Sequence, residues 1–162
     1  DAVLSAGIAG SLPGADLAIG DTIVAEACVY AEEGLQTPEA FHDMAAMGFS
    51  LGDFEGNVVP VDGQLLERVL EQVPIGRIAT VATCSGTDLQ AETIARRTGA
   101  IAEAMEGAAV VHAARRLKIP SIEVRTISNT TGDRQQQTWD LKGALAALGE
   151  AIPRVTAMLR TA

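Results

Sequence analysis

The stretch 100-AIAEAMEGAAVVHAARRLKIPSIEVRTIS-128 decides the fold. Residues 100–104 are an apolar run typical of a short buried strand, and residues 106–118 are alanine-rich and typical of a helix. Pro120 interrupts the helix, and residues 121–128 then have the β-branched, apolar character of another strand. A strand, a helix and a strand in this order indicate an α/β sheet with helices packed against it.

The same alternation continues on both sides of this stretch. Further strands are predicted at 2–6, 21–30 and 77–85, and further helices at 63–73, from Thr87 or Asp88 to Arg97, and from about Thr138 to Arg160. Pro153 is expected to kink or break the last helix. Because strands separated by helices usually pair in parallel, we expect one α/β domain over 1–162, with a mostly parallel central sheet and helices on both faces.

Residues 31–60 show no clear hydrophobic period and are predicted to form a long loop or flap. Loops of that length in a compact domain usually serve a function or move. We expect residues 41–54 to cover the ligand, to cover a neighbouring subunit's site, or to form part of a subunit interface. The side chains concerned are Phe41, Met47, Phe49 and Phe54, for which ordinary core packing is the alternative.

The composition limits the partners. The chain has 162 residues, 48% hydrophobic and 20% charged, with a formal net charge of −9. That charge disfavours a nucleic acid or an anionic membrane as partner, but it does not exclude a small nucleoside in a local pocket. There is no apolar run of about 18 residues to span a membrane. Cys28 and Cys84 show no zinc spacing with His42 or His112, and two free thiols favour the cytoplasm, so no metal or cofactor is predicted.

Ligands of such sheets collect beyond the carboxyl ends of the strands. We therefore expect the ligand site at the carboxyl ends of the predicted strands, which are residues 7–11, 83–88, 104–107 and 128–133. At the first of them, a small-residue turn at 7–10 would offer backbone N–H groups to a phosphate, a ribose oxygen or a water. A plain structural turn fits these residues equally well.

Glu106 lies where a helix is predicted to begin. A carboxylate at the positive end of a helix stays ionised and can accept hydrogen bonds from two donors. The 2′- and 3′-hydroxyls of ribose are such a pair of donors. The alternative is that Glu106 only complements the helix dipole, although the small residues after it, Gly107, Ala108 and Ala109, would let a ligand approach the backbone.

The strand at 121–128 carries further polar residues. Glu123 and Arg125 lie two residues apart on one face, where a structural ion pair between them is the simplest interpretation. Ser128 and Asn129 end the strand, and the amide of Asn129 offers both a donor and an acceptor to the crevice. A role of Asn129 in a turn is the alternative.

Four segments together resemble the nucleoside phosphorylase/nucleosidase superfamily over nearly the whole chain. They are SAGIAGSL (5–12), GDTIV (20–24), AEAMEGAAVVHAA (102–114) and IEVRTISNTTGDRQQQTWDL (122–141). The ISN-xx-GDR segment is similar to the branch that hydrolyses futalosine, and differs from the S-D ending of the adenine-releasing nucleosidases. The resemblance implies a nucleoside phosphorylase-like fold and hydrolytic release of hypoxanthine from futalosine in menaquinone biosynthesis. A homo-oligomer is expected as well.

The resemblance also implies a role for each matching residue. Glu106 would bind the ribose hydroxyls, and Asn129 would replace the carboxylate that contacts the purine, so these two are the predicted catalytic residues. Met105 would pack on the sugar. The other residues predicted to bind substrate are Ala104 and Ser128, Ile8, Ala9 and Gly10 on the sugar and water side, and Thr83, Cys84 and Ser85 along the base. No residue matches the family's water-activating acid, and the chain starts in a predicted strand without Met, so we expect an N-terminal portion to be missing.

The amide of Asn129 favours a 6-oxopurine. It can donate an N–H to the 6-oxo group while its carbonyl accepts from a ring N–H, whereas a 6-amino group would leave buried polar atoms unsatisfied at a cost of roughly 1–3 kcal/mol. Two alternatives stay open. One is a phosphorylase or hydrolase of inosine, guanosine or methylthioadenosine, although a phosphorylase would need basic residues near 7–10 and residues 1–20 contain none. The other is a catalytically silent nucleoside-binding or scaffold protein.

Overall fold

The computed structural model describes residues 1–70 and 72–160, which fold into strands and helices in alternation. The strands are β1 (Val3–Ser11), β2 (Thr22–Tyr30), β3 (Gly34–Gln36), β4 (Phe41–Asp43), β5 (Val58–Pro60), β6 (Ile75–Thr80), β7 (Ala100–Ala104) and β8 (Ser121–Thr130). The helices are α1 (Gly63–Glu67), α2 (Asp88–Thr98), α3 (Gly107–Arg116) and α4 (Leu141–Arg160). Within the described residues, no helix is both long enough and apolar enough to cross a membrane.

The central sheet is mixed, in the order β5-β2-β6-β7-β1-β8, and it closes on itself because β2 also pairs with β8. Its three longest ladders, β1–β8, β2–β6 and β6–β7, are parallel. The shorter ladders β1–β7, β2–β5 and β2–β8 are antiparallel. The predicted α/β class with a mostly parallel sheet is therefore confirmed. However, β1 lies between β7 and β8, so α3 connects two strands that run in opposite directions.

Helices cover both faces of the sheet, as predicted. Successive side chains of a strand point to opposite faces, and in β6 the buried Ile78 and Ala79 belong to two different apolar clusters. Helices α3 and α4 contribute Val111 and Val155 to the first cluster. Helix α2 contributes Ile94 to the second.

Residues 7–10 are part of a strand, so the predicted turn is wrong. Strand β1 runs on to Ser11 and pairs with β8 over its whole length, with a register shift between Ala9 and Gly10. A side chain at Gly7 would overlap the guanidinium of Arg125. The small residues of this segment thus allow a side chain of the neighbouring strand to approach closely. In the sequence, glycines with this role look the same as glycines that form a turn.

The other differences concern the length and ends of elements. Residues 31–60 contain the hairpin β3–β4 and strand β5, so they are not one irregular loop. Helix α1 ends earlier than the predicted 63–73, with Arg68 as its C-cap residue. Helix α4 begins at Leu141 and continues through Pro153 without a break, held by buried Ala151 and Val155 on either side of the proline.

Candidate active site

A cleft of about 1070 Å³ lies where β1, β7 and β8 meet. Its size is close to the upper end of the range for sites of small organic ligands. The structure brings together all of the predicted site residues except Thr83. Those that line the cleft are Ile8, Ala9, Gly10, Cys84, Ser85, Ala104, Met105, Glu106, Ser128 and Asn129.

Thr83 does not line the cleft. It is exposed, and its backbone N–H donates to Oε2 of Glu32 at 3.1 Å. The N–H of Ala82 donates to the same carboxylate oxygen. Glu32 thereby fixes the backbone of Ala82 and Thr83, and the contact of Thr83 with the base stays a prediction.

Glu106 occupies the N-cap position of α3, which begins at Gly107 as predicted. Its side chain makes no capping hydrogen bond, and its Oε2 instead lies 3.0 Å from Nη1 of Arg125. The side chain is 61% exposed, and Glu106 lines the cleft, so a ligand there can reach it.

Arg125 belongs to a buried ion-pair network beneath Glu106. Its Nε donates to Oε1 of the fully buried Glu123 at 2.7 Å, so the predicted pairing of these two residues is confirmed. The second oxygen of Glu123 accepts from the thiol of Cys28 at 2.8 Å. Burial and, secondarily, the Glu123 carboxylate raise the pKa of Cys28, which keeps this thiol a neutral donor. A side chain at Gly107 would overlap the Glu123 carboxylate, so the first residue of α3 must be a glycine.

The amide of Asn129 is held by its two neighbours in β8. Its Oδ1 accepts from Oγ of Ser128 at 2.8 Å, and its Nδ2 donates to the carbonyl of Thr130 at 2.8 Å. The register shift in the β1–β8 ladder places Asn129, rather than Ser128, opposite Gly10. One hydrogen of Nδ2 and one lone pair of Oδ1 remain for a ligand. Asn129 therefore lies in a strand at the cleft and does not form a turn.

The segment after β8 supplies cleft residues that the sequence did not reveal, namely Arg134, Gln137 and Trp139. Gln137 holds them in place, because its Oε1 accepts from Arg134 and from Trp139 at 2.9 Å each. Its Nε2 donates to the carbonyl of Ser85 at 2.9 Å. The polar composition of this segment shows no period, so its sequence gave no signal of this arrangement.

The aromatic residues predicted to cover the ligand do not line the cleft of this chain. The ring of Phe54 packs against His112 with centroids 5.1 Å apart, and the ring of Phe41 lies 4.1 Å from the guanidinium carbon of Arg97. Phe49 is 63% exposed. The prediction that these side chains cover this chain's own cleft is thus wrong for Phe41, Met47, Phe49 and Phe54. Their contact with a neighbouring subunit stays a prediction.

Glu103 is a buried carboxyl that the sequence prediction left out of the site. It lines the cleft and is only 6% exposed. Oε1 accepts from the backbone N–H of Ser85 at 2.8 Å, and Oε2 accepts from Ser85 Oγ at 2.6 Å. Burial raises the pKa of Glu103, although both hydrogen bonds from Ser85 oppose the shift.

This pKa shift predicts that Glu103→Gln stabilises the protein at pH 7. The folded state binds the Glu103 proton more tightly than the unfolded chain, so stability from this group is present at low pH and is lost as the pH rises through the folded pKa. Glutamine resembles the protonated form at every pH. We expect a higher Tm than wild type at pH 7 and an equal Tm below the ordinary glutamate pKa of about 4.3. A Tm difference that is the same at both pH values would contradict this assignment.

Known proteins similar to this chain share its fold and much of its sequence. The phosphorylase superfamily matches residues 1–162. A futalosine hydrolase from Acidothermus cellulolyticus is 39% identical over 153 residues, covering 92% of this chain and 62% of the relative. A futalosine hydrolase from Streptomyces coelicolor is 33% identical over 165 residues, covering 99% of this chain and 67% of the relative. The chain thus spans about two thirds of the length of these relatives.

A solved structure supports the same assignment at the level of the fold. The 5′-methylthioadenosine/S-adenosyl homocysteine nucleosidase of Helicobacter pylori superposes with a TM-score of 0.75 at 22% identity, covering 96% of this chain and 68% of the nucleosidase. The sequence match extends over the whole chain, and the sheet and the cleft agree with it. The chain belongs to the phosphorylase superfamily, and the curated relatives named above are futalosine hydrolases.

Proposed function

We propose that the protein containing this chain hydrolyses the N-glycosidic bond of futalosine and releases hypoxanthine, as a step of menaquinone biosynthesis. Two relatives that are 33–39% identical bear the name futalosine hydrolase. The observation that carries the proposal is the orientation of the Asn129 amide at the cleft. Its free N–H and its free carbonyl lone pair match the 6-oxo group and a neighbouring ring N–H of hypoxanthine.

Cleavage of the glycosidic bond leaves negative charge on the departing purine, which the site has to stabilise. Asn129 cannot give up a proton, but its N–H can donate to O6, where part of that charge resides. Water bonds to the anomeric carbon as the bond to the purine breaks, and a proton that the water loses ends on the purine. The resulting ring N–H can donate to the Asn129 carbonyl. Asn129 therefore supports a hypoxanthine leaving group better than an adenine one.

Glu106 would hold the sugar. Its carboxylate is exposed to the cleft, and its position is determined by Arg125 at 3.0 Å. A vicinal diol places two donors in one plane, which two carboxylate oxygens can accept together. The neighbouring Met105, whose side chain is half-exposed at the cleft, would pack against the sugar.

The charges of the cleft favour water over phosphate as the attacking group. Arg125 reaches the backbone of β1, with Nη1 3.4 Å from the carbonyl of Ile8, but it already pairs with Glu123 and Glu106. Two carboxylates on one guanidinium leave no net positive charge for a phosphate dianion. The other basic residue that lines the cleft, Arg134, lies over the ring of Trp139 and donates to Gln137.

The protein is further proposed to be a cytoplasmic homo-oligomer without a cofactor, with a small nucleoside as its partner. The test of the function is to incubate the intact protein with futalosine, inosine and methylthioadenosine, with and without phosphate, and to measure the free base. We expect hypoxanthine from futalosine at a rate independent of phosphate. Base release that requires phosphate would establish a phosphorylase, adenine release would establish a methylthioadenosine nucleosidase, and no release would favour a silent nucleoside-binding protein.

We expect Glu106→Gln to lower kcat/KM at least tenfold with little change in folding. The substitution keeps the shape but removes an ionised acceptor, and a hydrogen bond to a charged group contributes about 1.5–3 kcal/mol. Steady-state kinetics on futalosine measure the loss, and the Tm checks the fold. Unaltered kinetics would show that Glu106 only complements the dipole of α3.

A further inference from the structure

Three neighbouring strands place Glu103, Gly10 and Asn129 in one row across the sheet. Gly10 of β1 pairs with Glu103 of β7 on one side and with Asn129 of β8 on the other. Neighbouring strands lie about 4.8 Å apart, so the two outer residues flank Gly10 with about 10 Å between their backbones. All three residues line the cleft.

The glycine at the centre of this row leaves room for the side chains beside it. A side chain at Gly10 would approach Nδ2 of Asn129 to 3.0 Å and the methyl group of Thr131 to 2.8 Å. Without one, the floor between Glu103 and Asn129 is bare backbone. A flat ring can lie over it with a polar side chain at each end.

Glu103 has acceptor capacity that the protein does not use. Each of its oxygens receives one hydrogen bond, both of them from Ser85, and a carboxylate oxygen can accept two. Within residues 1–70 and 72–160, no basic side chain forms an ion pair with Glu103. A buried carboxylate without a cation is costly unless donors surround it, and the open side of Glu103 faces the cleft.

We propose that Glu103 is a specificity-determining residue that accepts the N1–H of a 6-oxopurine. This assignment rests on the proposed function, because it takes the cleft to be a purine nucleoside site. In hypoxanthine, N1–H, O6 and N7 follow one another along one edge of the base. Glu103 takes the first of these groups, and Asn129, at the other end of the row, takes the other two. Adenine has an acceptor at N1, which faces the lone pairs of an ionised Glu103 and is rejected.

The structure predicts what Glu103→Gln does to this preference. The backbone N–H of Ser85 is a fixed donor, so it retains the amide oxygen in the variant. The amide NH₂ then takes the place beside Ser85 Oγ, which as a hydroxyl can accept as well as donate. The remaining N–H of the amide faces the cleft as a donor. The substitution thus changes the group that meets N1 from an acceptor to a donor and leaves the contacts with Ser85 in place.

The experiment measures the binding of free hypoxanthine and free adenine to wild type and to Glu103→Gln by calorimetry, which requires no turnover. We expect the ratio of hypoxanthine affinity to adenine affinity to fall at least tenfold in the variant, the change that follows from exchanging one hydrogen bond to a charged group. Glu106→Gln is the matched control. It makes the same change of charge on the sugar side of the cleft, and the ratio for the free bases should stay as in wild type.

The outcomes separate this assignment from the proposed function. If both bases bind and the ratio does not change in folded Glu103→Gln, Glu103 does not contact the base, although the cleft is a purine site. An equal fall of the ratio in Glu106→Gln would attribute the preference to the overall charge of the cleft and would also overturn the assignment. If neither base binds to wild type, the cleft is not a purine site, and both proposals fail.

Discussion

We expect Arg125→Met to lower the free energy of unfolding by about 3–5 kcal/mol, the cost of leaving a buried charge without its partner. Glu123 is fully buried, and Arg125 is the cation that neutralises it, with 2.7 Å between Nε and Oε1. In the variant, the weak thiol donor of Cys28 is the one hydrogen-bond partner of the carboxylate that remains among the described residues. Glu106 also loses its partner at 3.0 Å, so activity should fall together with stability.

Unfolding in urea measures this loss, and the double variant Arg125→Met/Glu123→Leu is its control. The double variant has no charge at these two positions, and replacing a buried ion pair by apolar residues is often nearly neutral for stability. We therefore expect it to recover most of the stability but not the activity, because Glu106 still lacks its guanidinium. A loss of less than about 1 kcal/mol in the single variant would mean that water reaches Glu123.

The elements that the sequence predicted well carry local signals. Helix α2 has Thr87 as its N-cap residue, whose side chain accepts from the N–H of Gln90, and the left-handed Gly99 ends it, as expected. The strands β2, β7 and β8 and the start of α3 likewise follow from apolar runs, from Pro120 and from the small residues after Glu106. In each case the residues that form the signal belong to the element itself.

The features that were missed depend on contacts between distant parts of the chain. The sequence around Gly7 is typical of a turn. A glycine is needed there because a side chain would overlap Arg125, which is more than a hundred positions away in the sequence. The order β7-β1-β8 follows from pairing that no local pattern encodes, so the opposite directions of β7 and β8 could not be foreseen.

The site shows the same division. Glu106 and Asn129 line the cleft as predicted because each lies at the end of an element that the sequence delimits, the start of α3 and the end of β8. Thr83 does not line it, and the backbone of Thr83 is bound instead by a distant carboxylate, Glu32. Glu103 was passed over because its place in the cleft depends on its pairing with Gly10. Gln137 became recognisable only once its contact with Ser85 was known.

We expect Asn129→Asp to shift the preference between purines by about 10–200-fold, the range for exchanging one hydrogen-bonding pair in a site. The substitution keeps the acceptor that receives Ser128 Oγ and removes the donor that Nδ2 provides. Activity on futalosine should fall, because O6 then faces an acceptor. Nucleosides of 6-aminopurines should gain relative acceptance, because a carboxyl group can accept from the amino group and, when protonated, donate to N7.

The measurement compares kcat/KM for futalosine and its aminopurine analogue in wild type and variant across pH. The new carboxyl would be buried beside the carbonyl of Thr130, and burial together with a facing acceptor raises a carboxyl pKa. Since only the protonated form donates, the variant's activity on the aminopurine should fall as the pH rises, a dependence that wild-type Asn129 cannot produce. Asn57→Asp is the matched control, because Asn57 is also buried and donates to the carbonyls of Tyr30 and Glu33, but it does not line the cleft. If the ratio of kcat/KM for the two substrates changes equally in both variants, or in neither, Asn129 does not recognise the base. The proposed release of hypoxanthine would then rest on the similarity to futalosine hydrolases.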